Sequence, residues 1–594
     1  MTPEDRFSLL FHRTCLLGSF LGFAATLYFL AGLSGHIGNF LLNISTAGVL
    51  LLGVFFFLYV FFVPMRDNHW LGFLFWLLIL AVLLAEIVLG LVPPAVRDEL
   101  IHHLAIPRLY VEAGRIIEVP FALFSYRPML LDMLYTPFIK WGWDSVPKLV
   151  HGLFGFLTGL LLYAYVARRL NPVYGLLAFF LFISTPIVLR LSNLAYVGLG
   201  LTFYSTASLL CLLKWKESGY CLGWMILAGL LAGFALSTKP NGLLVFFLLF
   251  SVLVFILGEE GERGIRQIAC WALLFFVFAF LPFGPWVLKN ISQTGNPFFP
   301  LFTSLFGSLT GGENGEPPLG ILSSRQLLYG ESGWQVAALP LRVFFSGQDN
   351  SPQYFDGVLN PMLILFLPWA FKGKWVEEKR LLFGFAVFYF LYALFLVDLR
   401  IRYILPIIPP LVVLLVFAVH NLYLRILRPS WLWAGLALLV AWNGLYLVGY
   451  FRNVSPVAYL AGLESREAYL GKRVADFPAM QYINRHLPVD ARVYLLFTGN
   501  RGYYCQREYF YDTGESGRTL LRILRSARDE REIRERLGGQ GITHILVRQD
   551  LLRRFLNNNI TPRQQETWDR FQNRYLRVLF ELRGYGVYEV RRNA

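Results

Sequence analysis

The sequence predicts a polytopic α-helical membrane protein of about 13 spans with a small α/β domain at its C-terminal end. Of its 594 residues 56% are hydrophobic and 15% charged, whereas soluble domains carry roughly a quarter charged residues. The apolar residues come in runs of about 17–25, the length that crosses roughly 30 Å of hydrocarbon as helix. Near residue 451 the character changes, and charged amphipathic segments alternate with short apolar, strand-like ones. Because the long runs are continuous rather than alternating, they read as helices and not as barrel strands.

The expected spans are 14–33, 40–63, 70–92, 146–166, 172–189, 193–213, 220–236, 241–257, 268–288, 358–371, 381–397, 403–424 and 431–450, the tenth being short. The first run, "TCLLGSFLGFAATLYFLAGL", is too long for a signal h-region, and a second span follows at once. Cations should gather in short cytoplasmic loops. Arg66, Arg168, Arg169, Lys214, Lys216, Arg263, Arg266, the 372–380 cluster, Arg425 and Arg428 fall on one side if the N-terminus is inside. That topology, in an inner (plasma) membrane, leaves the loops 93–145 and 289–357 and the region from 451 onward extracytoplasmic. The expected domains are therefore 1–450, with those two loops forming the active site, and 451–594.

In the C-terminal region, "DFPAMQYINRHLP" has helical periodicity and leads into the strand-like "ARVYLLF". "RTLLRILRSARDEREIRERLG" reads as one charged helix and "GITHILV" as a strand. "TPRQQETWDRFQNRYLRVLF" opens with Thr561 as cap and Pro562 at the first helical position, and "YGVYEVR" closes as a strand. No Gly-rich dinucleotide fingerprint or nucleophile elbow occurs, so acceptor binding, a lid or a scaffold are the roles open to it. The formal charge of +15 is concentrated here but interleaved with acids, and no aromatic–basic nucleic-acid motif accompanies it. The five cysteines match no disulfide or zinc spacing and read as small buried hydrophobes.

The stretch "VRDELIHHLAIPRLY" (96–110) crowds titratable groups where the chain leaves the third span. Asp98 and Glu99 are adjacent, so on a helix they point about 100° apart and divide labour. One contacts a reacting group; the other binds a cation or caps a helix. A plain helix cap at Asp98 after Pro93 and Pro94 is the bland alternative. Glu99, His102 and His103 fall within one turn. A carboxylate with histidines at this spacing can ligate zinc, but HEXXH spacing is absent, and no metal site or cofactor is assigned. Arg190, Lys239, Lys289, Arg400 and Arg402 lie at outer helix ends against the charge bias. Snorkelling accounts for any one of them; together they point to an anionic ligand. "STKPNG" (237–242) adds Thr238 and Asn241, "PWVLKNISQTGNPFFP" (285–300) adds Asn290, and "GSLTGGENGEPPLG" (307–320) is a long polar loop.

These segments resemble the GT-C membrane glycosyltransferases, particularly bacterial members similar to protein O-mannosyltransferases and the aminoarabinose transferase of lipid A. The resemblance rests on Asp98–Glu99 with "HHLAIPRLY…G" (102–114), "TKPNG" (238–242), "PWVLKN…TGNPFFP" (285–300), "DGVLNP" (356–361) and "RYILPIIPP" (402–410), in that order. His102 stands where relatives often have Tyr. The resemblance implies transfer of one sugar from a polyprenyl-phosphate donor to an acceptor hydroxyl of a glycan, lipid or protein on the extracytoplasmic face. It implies inversion, with Asp98 as base and Glu99 or His103 orienting it. The leaving phosphate calls for cations: Lys239, Arg400 and Arg402, then Lys289 and Arg127. His102, Asn241 and Asn290 are possible substrate contacts. A transporter of lipid-linked sugars is the main alternative. Internal repeats and mid-span charges would mark it, and the charges here sit at span ends. An inactive scaffold whose outer domain binds a partner is the third reading.

Overall fold

The apolar runs fold as helices, and the computed structural model describes residues 3–61, 70–259, 264–306, 321–396, 399–425, 430–514 and 516–591. Arg66, Arg263, Arg428 and the polar loop 307–320 lie outside the described residues. Two compact units result. One comprises Met1–Val92, Gly114–Ile116 and Arg127–Pro456; the other comprises Pro93–Ala113, Ile117–Tyr126 and Val457–Ala594. This departs from the expected boundary at 450, because most of the 93–126 segment groups with the C-terminal region rather than with the membrane helices.

In the first unit, seven helices among the described residues are long and apolar enough to cross a membrane, and three shorter apolar ones accompany them. Helix Ile265–Thr294 turns Leu273, Leu281 and Leu288 outward, each more than half exposed. Such an apolar face is unfavourable in water and suits lipid. The protein is a multi-pass membrane protein. Helix Leu222–Thr238 packs on Ile265–Thr294 through Gly229 and Gly233, four residues apart. A Cβ at Gly233 would meet the Ala279 carbonyl oxygen at 2.2 Å. Small residues at this spacing let two membrane helices approach backbone to backbone.

Three expected spans differ in detail. Residues 358–371 form no single span but two four-residue helices, Met362–Leu365 and Leu367–Ala370. Pro361 precedes the first, and Pro368, in the first turn of the second, lacks the N–H that would carry the first helix on. The span 172–189 breaks into Pro172–Ile183 and Pro186–Leu191, where Pro186 restarts the helix. The span expected from 193 begins only at Gly198. His151 makes that irregular backbone tolerable. It is fully buried; its Nδ1 lies 2.9 and 2.8 Å from the carbonyl oxygens of Leu191 and Leu194, and its Nε2 accepts from Leu199 N at 2.9 Å. A neutral imidazole protonated on Nδ1 satisfies all three groups.

The second unit is built on a five-stranded sheet of β1 (Arg492–Leu496), β2 (Glu508–Phe510), β3 (His544–Arg548), β4 (Leu576–Leu582) and β5 (Tyr585–Val590), in the order β2-β1-β3-β5-β4. Both β2 and β3 run parallel to β1, whereas β5 is antiparallel to β3 and β4. Thr561 caps helix Pro562–Tyr575 in a full capping box with Gln564. That helix stops at Tyr575, and 576–580, expected to continue it, form with 581–582 an edge strand paired with β5. The helix expected over 518–538 is two, Arg518–Ser526 and Glu530–Gly539, because Asp529 accepts from Glu532 N at 2.8 Å and starts a new one. Of the five cysteines, Cys15, Cys211 and Cys505 are buried as expected, but Cys221 and Cys270 are exposed.

In the segment before the second group of membrane helices, Glu331 is buried between two guanidiniums. Arg325 binds it at 2.6 and 2.8 Å and Arg342 at 3.0 Å. The Arg325 hydrogen bonds, opposed in part by burial, hold its carboxyl down at about 2. A depressed carboxyl stabilises the fold above its unfolded pKa, and the contribution is lost as pH falls toward the folded value. Glu331→Gln should cost on the order of 3 kcal/mol at neutral pH. In denaturant unfolding at a series of pH values, the gap to wild type should close between about pH 4.5 and 2. A gap independent of pH would remove this ion pair as a stabilising element.

Candidate active site

In the α/β unit, the acidic pair sits on one widened turn. Glu99–His103 is a π-helix, closed by Leu104 N donating to Glu99 O at 3.0 Å. Single π-turns are uncommon and frequent at functional sites. The two acids divide as their adjacency requires. Glu99 is fully buried, and its Oε2 accepts from Ala95 N at 3.2 Å and Val96 N at 2.9 Å. Its carboxylate thus holds the turn that follows Pro93–Pro94. Asp98 is half-buried and makes no capping hydrogen bond, so the capping role expected of it belongs to its neighbour Glu99. His102 stacks on Phe124, with ring centroids 4.1 Å apart and 10° between planes, and lies 4.1 Å from the His103 ring. His103 is buried.

The loop 499–504 fastens this segment from far along the chain. Tyr503 N donates to Leu100 O at 3.1 Å, Tyr504 Oη donates to Pro94 O at 2.7 Å, and Arg108 donates to the Tyr503 carbonyl. Burial, with Glu99 among the smaller contributions, pushes the Tyr469 phenol up to about 12, so this neighbour stays protonated. Tyr503 and Tyr504 were not anticipated. "GYYC" carries no motif, and the pairing spans some four hundred residues. Among the described residues no cluster of three or more His, Cys, Asp or Glu is gathered as a metal site.

In the membrane unit, a cavity of about 830 Å³ is lined by apolar and aromatic side chains together with Arg127, Lys239, Asn241 and Asn290. Lys239 follows helix Leu222–Thr238 in an extended conformation, φ −163°. Ser237 just before it donates to the Pro282 carbonyl at 3.1 Å, tying this helix end to Ile265–Thr294 beside Trp286 and Asn290. Two predicted cations meet one ring, Tyr403, and Arg127 lines the same cavity. Lys239 Nζ lies 4.5 Å from its centroid and the Arg402 guanidinium 5.2 Å. Burial lowers the Arg127 pKa, and Tyr403 acts on it electrostatically in the opposite sense. Arg402 also reaches Tyr196 Oη at 3.4 Å. Cation–π contacts of this kind are worth ~0.5–2 kcal/mol each and offset part of the repulsion among like charges. Asn290 donates to Pro297 O and Phe299 O, while its Oδ1 is buried with no hydrogen-bond donor facing it.

Other members of the predicted set sit apart. Arg402, Arg400 and Lys289 do not line the cavity. Arg400 lies 3.9 Å from Asp356, which Arg190 also binds at 3.3 Å while reaching Asp349 at 2.9 Å. The carboxylates of the "DGVLNP" region draw Arg400 and Arg190 into one ion-pair cluster. Lys289 is buried near Trp286, 5.8 Å from its ring. Tyr403 and Trp286 were missed as individual residues, although both lie inside the quoted motifs "RYILPIIPP" and "PWVLKN".

Removing the Glu99 carboxylate should loosen the turn. Glu99→Ala should cost ~1–3 kcal/mol for the orphaned donors, and the amides of Ala95 and Val96 should exchange faster with deuterium. Unchanged protection at both amides would refute the capping role.

The fold and parts of the sequence have counterparts among known proteins. Residues 147–291 match the family described as dolichyl-phosphate-mannose-protein mannosyltransferase. No curated protein matches the chain. Among solved structures, ArnT from Cupriavidus metallidurans in the apo state is similar, with 15% identity, a TM-score of 0.54, and coverage of 86% of this chain and 97% of that one. The same protein bound to undecaprenyl phosphate gives 14% identity and a TM-score of 0.48 over the same shares. The apo oligosaccharyltransferase of Archaeoglobus fulgidus gives 11% and 0.47, covering 89% of this chain and 75% of that one. The chain carries the fold of the GT-C membrane glycosyltransferases.

Proposed function

We propose that the protein is a membrane glycosyltransferase that moves a sugar from a polyprenyl-phosphate-sugar donor to an acceptor hydroxyl of a glycan, lipid or protein. The observation that carries this reading is the cavity beside Tyr403, where Arg127 and Lys239 stand with Asn241 and Asn290 in a mostly apolar and aromatic lining. A phosphate on a long hydrocarbon presents both chemistries, an anionic head and an apolar tail. ArnT, whose fold this chain shares, has also been solved bound to undecaprenyl phosphate.

In the proposed reaction the acceptor oxygen attacks the anomeric carbon and its proton passes to Asp98. The bond from that carbon to the phosphate oxygen breaks, the configuration inverts, and polyprenyl phosphate leaves with the electron pair. Cations placed where this charge develops lower the barrier because the dry site requires little reorganisation. Lys239 supplies a point charge and Arg127 a fork, and Arg402 holds Tyr403 from its other contact. The reaction draws on no resident cofactor. Asn241 and Asn290 supply polar contacts for the donor head, and Glu99 keeps the turn that carries Asp98.

Orientation follows the charge bias. Arg169 with Glu378, Lys216 with Glu259 and Glu377, and Arg168 with Glu217 gather helix ends into one network, a face we assign to the cytoplasm. The cavity, the second unit and the reaction are then extracytoplasmic, in the inner (plasma) membrane.

Asp98→Asn should leave the protein folded in the membrane and abolish sugar transfer in a reconstituted assay with a polyprenyl-phosphate-sugar. Wild-type turnover by that variant would remove Asp98 from the mechanism. Tyr403→Leu removes the ring beneath the cations and should raise KM for the donor about tenfold, the size of one lost cation–π contact. An unaltered donor KM would contradict the assignment of the phosphate to this cavity.

A further inference from the structure

The α/β unit contains a cavity of its own, about 530 Å³, that the proposed transfer does not use. Small-molecule sites occupy about 300–1,000 Å³. Its base rests on the buried core at the carboxyl ends of the parallel strands β1 and β3, around Leu496 and Val547, and its partly exposed apolar lining is Leu576 and Tyr588. The chain passes from β1 to β2 on one side and returns to β3 on the other, so the two strands flank a point where the winding reverses. Open α/β sheets leave a crevice at that place.

Two helices complete the walls, each with one face. Helix Gln549–Asn559 contributes Gln549, Leu552, Arg553, Leu556 and Asn557, spaced as one helical stripe. Helix Pro562–Tyr575 contributes Gln565, Trp568, Asp569 and Gln572 in the same way. The inner positions of both stripes are apolar and the outer ones are amides and charged groups. Gln565 donates to Asp569 at 2.9 Å, but its buried Oε1 faces no hydrogen-bond donor. Across the cavity, Tyr588 Oη donates to Glu581 at 2.8 Å and accepts from Gln549 at 2.7 Å.

We propose that this cavity binds a neutral oligosaccharide. A pyranose presents apolar C–H faces and a rim of hydroxyls, each donor and acceptor at once. The partly exposed Tyr588 ring and Leu576 beside a rim of side-chain amides and carboxylates complement both. One guanidinium, Arg553, stands against two carboxylates, Asp569 and Glu581, which disfavours phosphorylated or acidic sugars. The site is separate from the donor cavity and does not depend on the transfer reaction being correct.

Saturation-transfer NMR on the full-length protein in detergent micelles tests this, with maltose, cellobiose and N,N′-diacetylchitobiose as probes and glucose 6-phosphate as the anionic comparison. At least one neutral disaccharide should receive saturation at millimolar concentration, in wild type and in Asp98→Asn alike. Gln565→Leu and the exposed Asn557→Leu should each weaken it about tenfold, the loss of one or two hydrogen bonds. Asn557→Leu alone decides the matter if Gln565→Leu lowers the melting temperature. The proposal falls if none of the three neutral sugars binds, if binding survives the Asn557 variant unchanged, or if glucose 6-phosphate binds more tightly than all of them.

Discussion

A backbone surrounded by hydrocarbon has no water to bond with, so every departure from helix must be stitched by a side chain. Several irregular points among the described residues of the membrane unit follow this constraint. His151 occupies three backbone groups around 191–199, and Asn193 donates to Leu189 O while accepting from Tyr450. Ser237 bonds the Pro282 carbonyl inside a helix that two prolines interrupt. These stitches are also where polar chemistry becomes possible. Lys239 emerges two residues after Ser237, and Trp286 and Asn290 lie about one and two turns after Pro282.

Charge obeys a related rule in the same unit. Cations near an apolar cavity need a partner, and the partners differ in kind. Arg190 is bound by Asp349 and Asp356, and Arg400 lies 3.9 Å from Asp356. Lys239 and Arg402 meet the face of Tyr403 instead. A ring attracts a cation without neutralising it, so the charge remains to act on an incoming anion. Within a few residues of sequence, one set of cations is thus paired with carboxylates and the other with an aromatic face.

Much of the membrane unit was legible because hydrocarbon thickness imposes run length, which a sequence displays directly. A helix stands at each expected span except 358–371, where Pro361 and Pro368 break an apolar run that hydropathy alone cannot split. The C-terminal sheet was half legible. β1, β3 and β5 are apolar and stand out, whereas β2 is three residues long and β4 reads as a continuation of the helix before it. Its strand form comes from pairing with β5, a contact that helical periodicity does not contain. Of the site, the acidic pair and the unusual cations were visible as residues placed against the local pattern. Tyr403 was not, since an aromatic beside an arginine in a membrane protein is ordinary.

The sequence by itself determined that this chain spans a membrane many times, where its helices run, and which charged residues break the bias of their surroundings. These follow from hydrophobic run length and composition, both local quantities. Tertiary structure alone decided that Glu99 rather than Asp98 holds the turn, that segment 93–126 largely groups with residues more than three hundred positions away, and that Lys239 and Arg402 meet the Tyr403 ring while Arg400 lies beside Asp356. Each of these depends on which partner a polar group finds once water is excluded, and that partner is set by packing between distant segments.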